Sequence, residues 1–242
     1  MASSQRSNTL FASSLVFVLP VLASGLFWLT SVTTDLTDAD RAVFAKVFAG
    51  KPLKVATFDD QIATILTVQR AAAAAAPTPE PIPLRVSREP ADVVREGKGF
   101  CYDRSRFIEK ALLYAGLAIR HVAIYNPPKG WSQLHTLLTP KVPSHAITEV
   151  RTSRGWLVAD SLSAWMGLTA DGRLLTADMI SHDPALMHST WDKRIEGTPS
   201  PNLNQPFFDY VGLYSRNGQL YWPYTRFPNV NWDQAFGWLV EG

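Results

Sequence analysis

The chain has 242 residues, of which 46% are hydrophobic and 18% are charged, and this composition is typical of a globular protein rather than a disordered one. The formal net charge is +2 at pH 7 and the sequence contains no lysine- and arginine-rich run, which argues against a nucleic acid partner. Cys101 is the single cysteine, so an intramolecular disulfide and the common thiolate zinc sites are excluded.

An apolar segment near the N-terminus, from Leu10 to Val32, runs for 23 residues without a charge. A helix of that length crosses the roughly 30 Å hydrocarbon core of a bilayer. Arg6 precedes the segment and Asp35 follows it, so the rest of the chain is expected outside the cytoplasm. We therefore predict that residues 1–35 form a cytoplasmic tip and a signal anchor. A cleavable signal peptide and a buried N-terminal helix are the alternatives.

Residues 36–90 are predicted to be a helical region that ends in a proline-rich connector. Thr37 or Asp38 can cap a helix over about 39–49, and a second helical pattern begins at Phe58. Pro77 stops the second helix, and residues 77–83 then read as extended chain.

The nucleophile candidate is Cys101, in the third predicted region, residues 91–242. It follows the glycine-punctuated loop 97–100 and opens a helical pattern that runs to Tyr114, with a strand predicted over 118–125. Unpaired N–H groups at a helix start favour thiolate over thiol, and thiolate is the nucleophilic form.

A β-hairpin is predicted from residues 144–151 and 155–161. If Arg151 pairs with Trp156, His145 and Asp160 become diagonal neighbours on one face, within reach of each other. In this register Glu149 shares that face and has no assigned role. Cys101, His145 and Asp160 are therefore predicted to form a catalytic triad, in which the thiolate attacks an acyl carbon, His145 transfers the proton and Asp160 orients the imidazole.

Two stretches carry a resemblance to a known family. GFCYDRSRFIEKALLYAGLAIRHVAIY resembles the nucleophile block of the transglutaminase-like superfamily, and HAITEVRTSRGWLVADS resembles its second block, with His-Ala on one strand and Asp on the next. The resemblance covers roughly residues 93–162 and is to the bacterial transglutaminase-like cysteine peptidase type. It implies an α+β, cysteine-protease/transglutaminase-like core with a nucleophile helix packed on an antiparallel sheet, and it carries the family's catalytic positions to Cys101, His145 and Asp160.

The expected function is that of an exported, thiol-dependent enzyme for acyl transfer or amide hydrolysis: a transglutaminase, peptidase or amidase. Expected substrates are proteins, peptides or a cell-envelope polymer, and neither a cofactor nor a metal is required. The N-terminal helix is expected to anchor the protein in the membrane, with the catalytic domain outside the cytoplasm. In a Gram-negative bacterium the domain would then lie in the periplasm. If the segment is cleaved, the protein would be secreted. The sequence leaves the oligomeric state and the substrate open.

Two further hypotheses compete with this function. A catalytically inactive envelope scaffold would bind a peptide or glycan through the aromatic C-terminal extension, which includes Trp222, Tyr224 and Trp232. A zinc hydrolase would use His182 and His188. His121 reads as structural, and His135 as a loop residue beside the cleft. Turns around residues 170–172 and 216–218 are expected to close two more hairpins.

Overall fold

The computed structural model describes residues 20–83, 86–139, 142–204, 207–210, 212–214 and 229–241. This part of the chain combines helices with an antiparallel sheet, which confirms the α+β class expected from the sequence. The helices are α1 (20–30), α2 (Asp38–Val47), α3 (Phe58–Ala75), α4 (Pro90–Glu96), α5 (Cys101–Tyr114), α6 (Gln133–Leu138), α7 (Ala177–His182) and α8 (Trp232–Glu241).

Capping boxes fix the starts of α2 and α3. The hydroxyl oxygen of Thr37 accepts a hydrogen bond from the N–H of Asp40 at 3.1 Å, and the Asp40 carboxylate accepts one from the N–H of Thr37 at 2.9 Å. Thr57 and Asp60 repeat the arrangement at α3. Each box satisfies two N–H groups that a helix start leaves without a partner.

The main sheet is antiparallel, with the strand order β3-β2-β1-β4. Its strands are β1 (Ala118–Tyr125), β2 (Ser144–Thr152), β3 (Gly155–Asp160) and β4 (Phe207–Asp209). Arg151 pairs with Trp156, which confirms the predicted register, and the β2–β3 turn is closed by Thr152, whose hydroxyl donates to the carbonyl of Gly155 at 2.8 Å. A second, two-stranded sheet pairs β5 (Leu213–Tyr214) with β6 (Asn229–Val230).

Hydrophobic clusters cover the two faces of the main sheet. On one face α3 and α5 pack against strand residues, with Val68, Phe107 and Val150 all fully buried. On the other face Ile147 and Val158 pack with Trp165 and with side chains of α7. Residues of α2 and α3 thus belong to the same core as the helix that begins at Cys101.

The structure corrects one detail of the sequence analysis. The linker 126–143 contains the helix α6, which Ser132 caps by accepting from the N–H of His135 at 3.1 Å. The expected hairpin around residues 170–172 is present in a short form: Leu168 pairs with Leu174, and the N–H of Leu175 donates to the carbonyl of Gly167 at 2.7 Å. The other expected hairpin turn, at 216–218, and its second arm to Tyr224 lie outside the described residues.

Residues 10–19 of the expected membrane anchor also lie outside the described residues. Within the described ranges, no helix combines the length and the apolar character needed to cross a membrane.

Candidate active site

Cys101 is the first residue of α5, and its free thiol is half-buried. Asp103 organises this turn: its Oδ2 accepts from the N–H of Phe100 at 2.9 Å, and its Oδ1 lies 2.8 Å from the buried guanidinium of Arg88. The loop approaches the helix so closely that a Cβ at Gly99 would lie 2.9 Å from the Cβ of Asp103. Gly99, two residues before Cys101, therefore permits the turn that places the thiol at the helix start.

The β2–β3 hairpin brings His145 and Asp160 together. Nε2 of His145 lies 3.0 Å from Oδ1 of Asp160, and both side chains are almost completely buried. Two backbone groups also donate to the carboxylate: the N–H of Leu162 to Oδ1 at 2.9 Å and the N–H of Ser200 to Oδ2 at 3.0 Å. These bonds fix the carboxylate, which in turn fixes the orientation of the imidazole ring.

Cys101 interacts with the same imidazole. Burial alone lowers the pKa of His145, but hydrogen bonds with Asp160 and Cys101, and the charges of both groups, raise it to about 9. Nδ1 of His145 is buried and has no nitrogen or oxygen partner. Because Nε2 faces Asp160, Nδ1 is the ring atom that remains for the thiol.

The raised pKa of His145 places a positive charge beside the thiol at neutral pH. A His145 pKa of about 9 keeps the proton on the ring. Arg104 adds a second positive charge near the sulfur: burial lowers its pKa, and the charge of Cys101 acts in the opposite direction. The guanidinium of Arg104 is held by the carbonyl of Ala76 at 2.6 Å. The three predicted triad residues are thus brought together in a setting that favours a nucleophilic sulfur.

Gln69 was missed by the sequence analysis. It is a buried residue of α3, and its Nε2 lies within hydrogen-bonding distance of three carbonyls: Asp160 at 2.9 Å, Trp165 at 2.6 Å and Ser163 at 3.3 Å. It therefore holds the chain immediately around the Asp160 carboxylate. One sequence feature could have indicated Gln69: it lies four residues after Ile65 and three before Ala72, on the apolar face of the predicted helix, where a polar side chain needs buried partners.

Glu149, which had no role in the sequence analysis, is explained by its neighbours. It lies opposite Arg120 across the β1–β2 ladder and forms an ion pair with it. Its Oε1 also accepts from the N–H of Ala177, at the start of α7, at 2.7 Å. The inward carboxylate therefore ties α7 to the sheet.

The other histidines lie elsewhere. His121 is buried, with Nδ1 2.6 Å from Glu109 and its ring stacked on Tyr214, which fits the structural role predicted for it. His135 is exposed on α6. His182 and His188 are also exposed, and the described residues include no group of three potential metal ligands.

Several cavities lie on the described part of the domain, and two of them bear on function. One of about 610 Å³ is lined by side chains that include Arg120, Trp156, Tyr210 and Trp238, and by none of the triad. Another of about 480 Å³ follows the end of β1 and is lined by the loop 126–130 together with Trp131, Gln133 and Thr136. This second cavity is at the end of the sheet where β2 begins, one residue before His145.

No protein-family model matches the chain, and no curated protein matches it at a significant level.

Proposed function

We propose that the protein is a thiol-dependent enzyme of the transglutaminase-like kind, which forms a thioester on Cys101 and transfers or hydrolyses an acyl group taken from an amide. The proposal rests on one observation: Cys101 and Asp160 both interact with the buried imidazole of His145. A core packed only for stability has no need of a buried imidazolium beside a thiol, because burying charge is costly.

The first half of the reaction acylates the cysteine. The Cys101 thiolate adds to the amide carbon, and an S–C bond forms as the carbonyl electrons move to oxygen. The N–H of Cys101 has no acceptor within the helix, because it belongs to the first residue, and it can donate to that oxyanion. His145 then gives its proton to the leaving nitrogen, the C–N bond breaks and the amine departs.

The second half releases the acyl group. Neutral His145 removes a proton from water or from an acceptor amine, which attacks the thioester carbon. The C–S bond breaks, and the sulfur leaves as the thiolate beside the re-formed imidazolium. Water as acceptor gives hydrolysis and an amine gives transfer. Asp160 stays ionised throughout and keeps Nε2 of the ring protonated.

The proposal extends to the location of the enzyme. The uncharged stretch from Leu10, continued by α1, would anchor the chain in the membrane and place the domain outside the cytoplasm. The substrates would then be proteins, peptides or envelope polymers that carry amide bonds.

The pH dependence of Cys101 alkylation tests the catalytic proposal on the full-length chain. Iodoacetamide should react well below pH 8, because the proposal requires a thiolate beside the positively charged imidazole of His145. His145→Ala should shift the profile toward that of a free thiol, near pH 8.5 (about the ordinary value). His135→Ala, which removes an exposed histidine, should leave the profile unchanged.

A native profile identical to that of His145→Ala would overturn the catalytic proposal. It would favour the second candidate, a scaffold that binds a peptide or glycan. That candidate is supported by the roughly 610 Å³ cavity, which is the largest among the described cavities and lies away from the triad.

A further inference from the structure

Exposed apolar side chains are concentrated in one place. In the described part of the chain, twelve large hydrophobic side chains are exposed, and eight of them belong to α1 and α8. The eight are Val21, Leu22, Leu26, Phe27, Trp28 and Leu29 on α1, and Phe236 and Trp238 on α8. Single exposed apolar residues are ordinary, but a contiguous group marks a contact surface.

Aromatic contacts join the two helices and place the exposed side chains of α1 beside Phe236. Phe27 stacks on Trp232 with ring centroids 5.5 Å apart, and Trp232 stacks on Phe236 at 5.7 Å. The indole N–H of Trp232 donates to the hydroxyl of Thr30 at 3.1 Å. Just beyond α1, the N–H of Val32 donates to the carbonyl of Val230 at 2.9 Å. We call the exposed side chains of α1, together with Phe236, the α1–α8 surface.

Two sides of α8 have different surroundings. Gln234 bonds to both the N–H and the carbonyl of His121, at 2.8 and 2.7 Å, and Trp238, four residues later on the same side, lines the roughly 610 Å³ cavity. Phe236 follows Trp232 by four residues and is 52% exposed, so it lies on the side of α8 that meets α1.

The chain that precedes α1 identifies the occupant of this surface. Residues 10–19 are uncharged and lead directly into α1, whose side chains from 20 to 29 are all exposed. A lipid bilayer is the solvent that suits such a sequence. Phenylalanine and tryptophan on an adjoining helix suit the boundary between acyl chains and headgroups.

We infer that α8 is a second membrane contact: Phe236 enters the lipid–water interface beside α1 and holds the domain in one orientation. The inference rests on the membrane anchoring proposed above and is independent of catalysis.

The test places an environment-sensitive fluorophore on single cysteines of the full-length chain in liposomes. In a Cys101→Ser background, Phe236→Cys is compared with Trp28→Cys on α1 and with Leu134→Cys, an exposed apolar position on α6 outside the surface. Labels at 236 and 28 should shift to the blue and lose fluorescence with spin-labelled lipids, whereas a label at 134 should stay in water and keep its fluorescence.

Each other outcome is informative. A label at 236 that stays in water while the label at 28 is quenched overturns the inference and leaves the anchor intact. A blue-shifted label at 236 that spin-labelled lipids do not quench means that protein covers the surface, which also overturns it. If both labels stay in water, anchoring itself fails and the inference with it. Cys101 alkylation is measured separately on the native chain, so the test of catalysis does not depend on any of these outcomes.

Discussion

Nε2 of His145 lies 3.0 Å from Oδ1 of Asp160, although the two residues are 15 positions apart in the chain. The cause is the register of the hairpin, in which Ile147 pairs with Asp160 and His145 becomes the diagonal neighbour. A slip of one residue would send the imidazole and the carboxylate to opposite faces of the sheet. The two-residue turn between Thr152 and Gly155 therefore determines whether the site exists.

Asp160→Asn should abolish most of the proposed activity. The amide keeps the shape of the side chain but removes the charge that raises the pKa of His145, so the imidazolium and the thiolate are both lost at neutral pH. By analogy with the loss of the corresponding charge in serine-nucleophile triads, the rate should fall by up to about 10⁴-fold. The measurement is the rate of thioester formation with an activated ester or amide.

The control for this variant is Asp178→Asn, which removes an exposed carboxylate distant from Cys101 in the chain. It should leave acylation unchanged. Full activity in Asp160→Asn would contradict the assigned role of the carboxylate.

In a Cys101→Ser variant, which removes the coupled titration of the thiol, the stability of the native state should fall as pH rises from 6.5 toward 9. The pKa of His145 is raised from 6.5 to about 9 in the folded native chain and Asp160 supplies part of that shift, so the folded variant also binds the proton more tightly than the unfolded one. The resulting stabilisation is complete below pH 6.5, is lost as pH rises through the raised pKa, and amounts to at most about 3 kcal/mol, because the charge of Cys101 is absent. Urea unfolding at pH 6 and at pH 9.5 measures the difference.

His145→Gln in the same Cys101→Ser background provides the comparison for the pH effect, because glutamine does not titrate. Its free energy of unfolding should change less between the two pH values than that of the Cys101→Ser protein. Equal changes in both proteins would show that His145 does not carry the dependence.

Gln69→Ala should destabilise the fold and slow acylation together. The variant leaves the buried carbonyls of Asp160 and Trp165 without their side-chain donor, at a cost of about 1–3 kcal/mol in the free energy of unfolding. Thr67→Ala on the same helix removes only a hydroxyl bonded within the helix, and it should change neither quantity. Thermal unfolding and alkylation rates, measured side by side, test this; a Gln69→Ala protein indistinguishable from Thr67→Ala would contradict it.

Gly99→Ala should damage the site more than the fold. The added Cβ would meet the Cβ of Asp103 at 2.9 Å, so the first turn of α5 must move and carry Cys101 with it. Gly97→Ala is the matched control, since its Cβ meets nothing within 4 Å but its φ of +62° is strained for alanine. The control should lose about 1–2 kcal/mol of stability with normal thiol reactivity, whereas Gly99→Ala should show reduced Cys101 alkylation at low pH.

The features that local sequence determines were predicted well. The capping residue Thr37, the start of α3 at Phe58, the strand β1 and the start of α5 at Cys101 all depend on side chains within a few positions. The pairing of Arg151 with Trp156 also follows from a short turn and from the period of two along a strand.

The features that distant contacts determine were not predicted. Gln69 is 91 positions from Asp160 in the chain, and Ser200 is 40 positions from it. No local sequence pattern predicts such distant partners. Glu149 looked misplaced because its partners Arg120 and Ala177 belong to other elements. The six-residue helix α6 was not predicted for another reason: the stability of a helix this short depends on tertiary packing more than on its own sequence.

The guanidinium of Arg106, on the helix that begins with Cys101, donates to the carbonyl of Thr33 at 2.7 Å. Thr33 is three residues beyond the end of α1. In an enzyme anchored through α1, the catalytic helix would thus be held close to the membrane rather than at the end of a long flexible linker. The enzyme would meet its substrates by lateral diffusion in the plane of the membrane. Residence at the same surface would then decide which amides it encounters, before any side chain of the cleft discriminates among them.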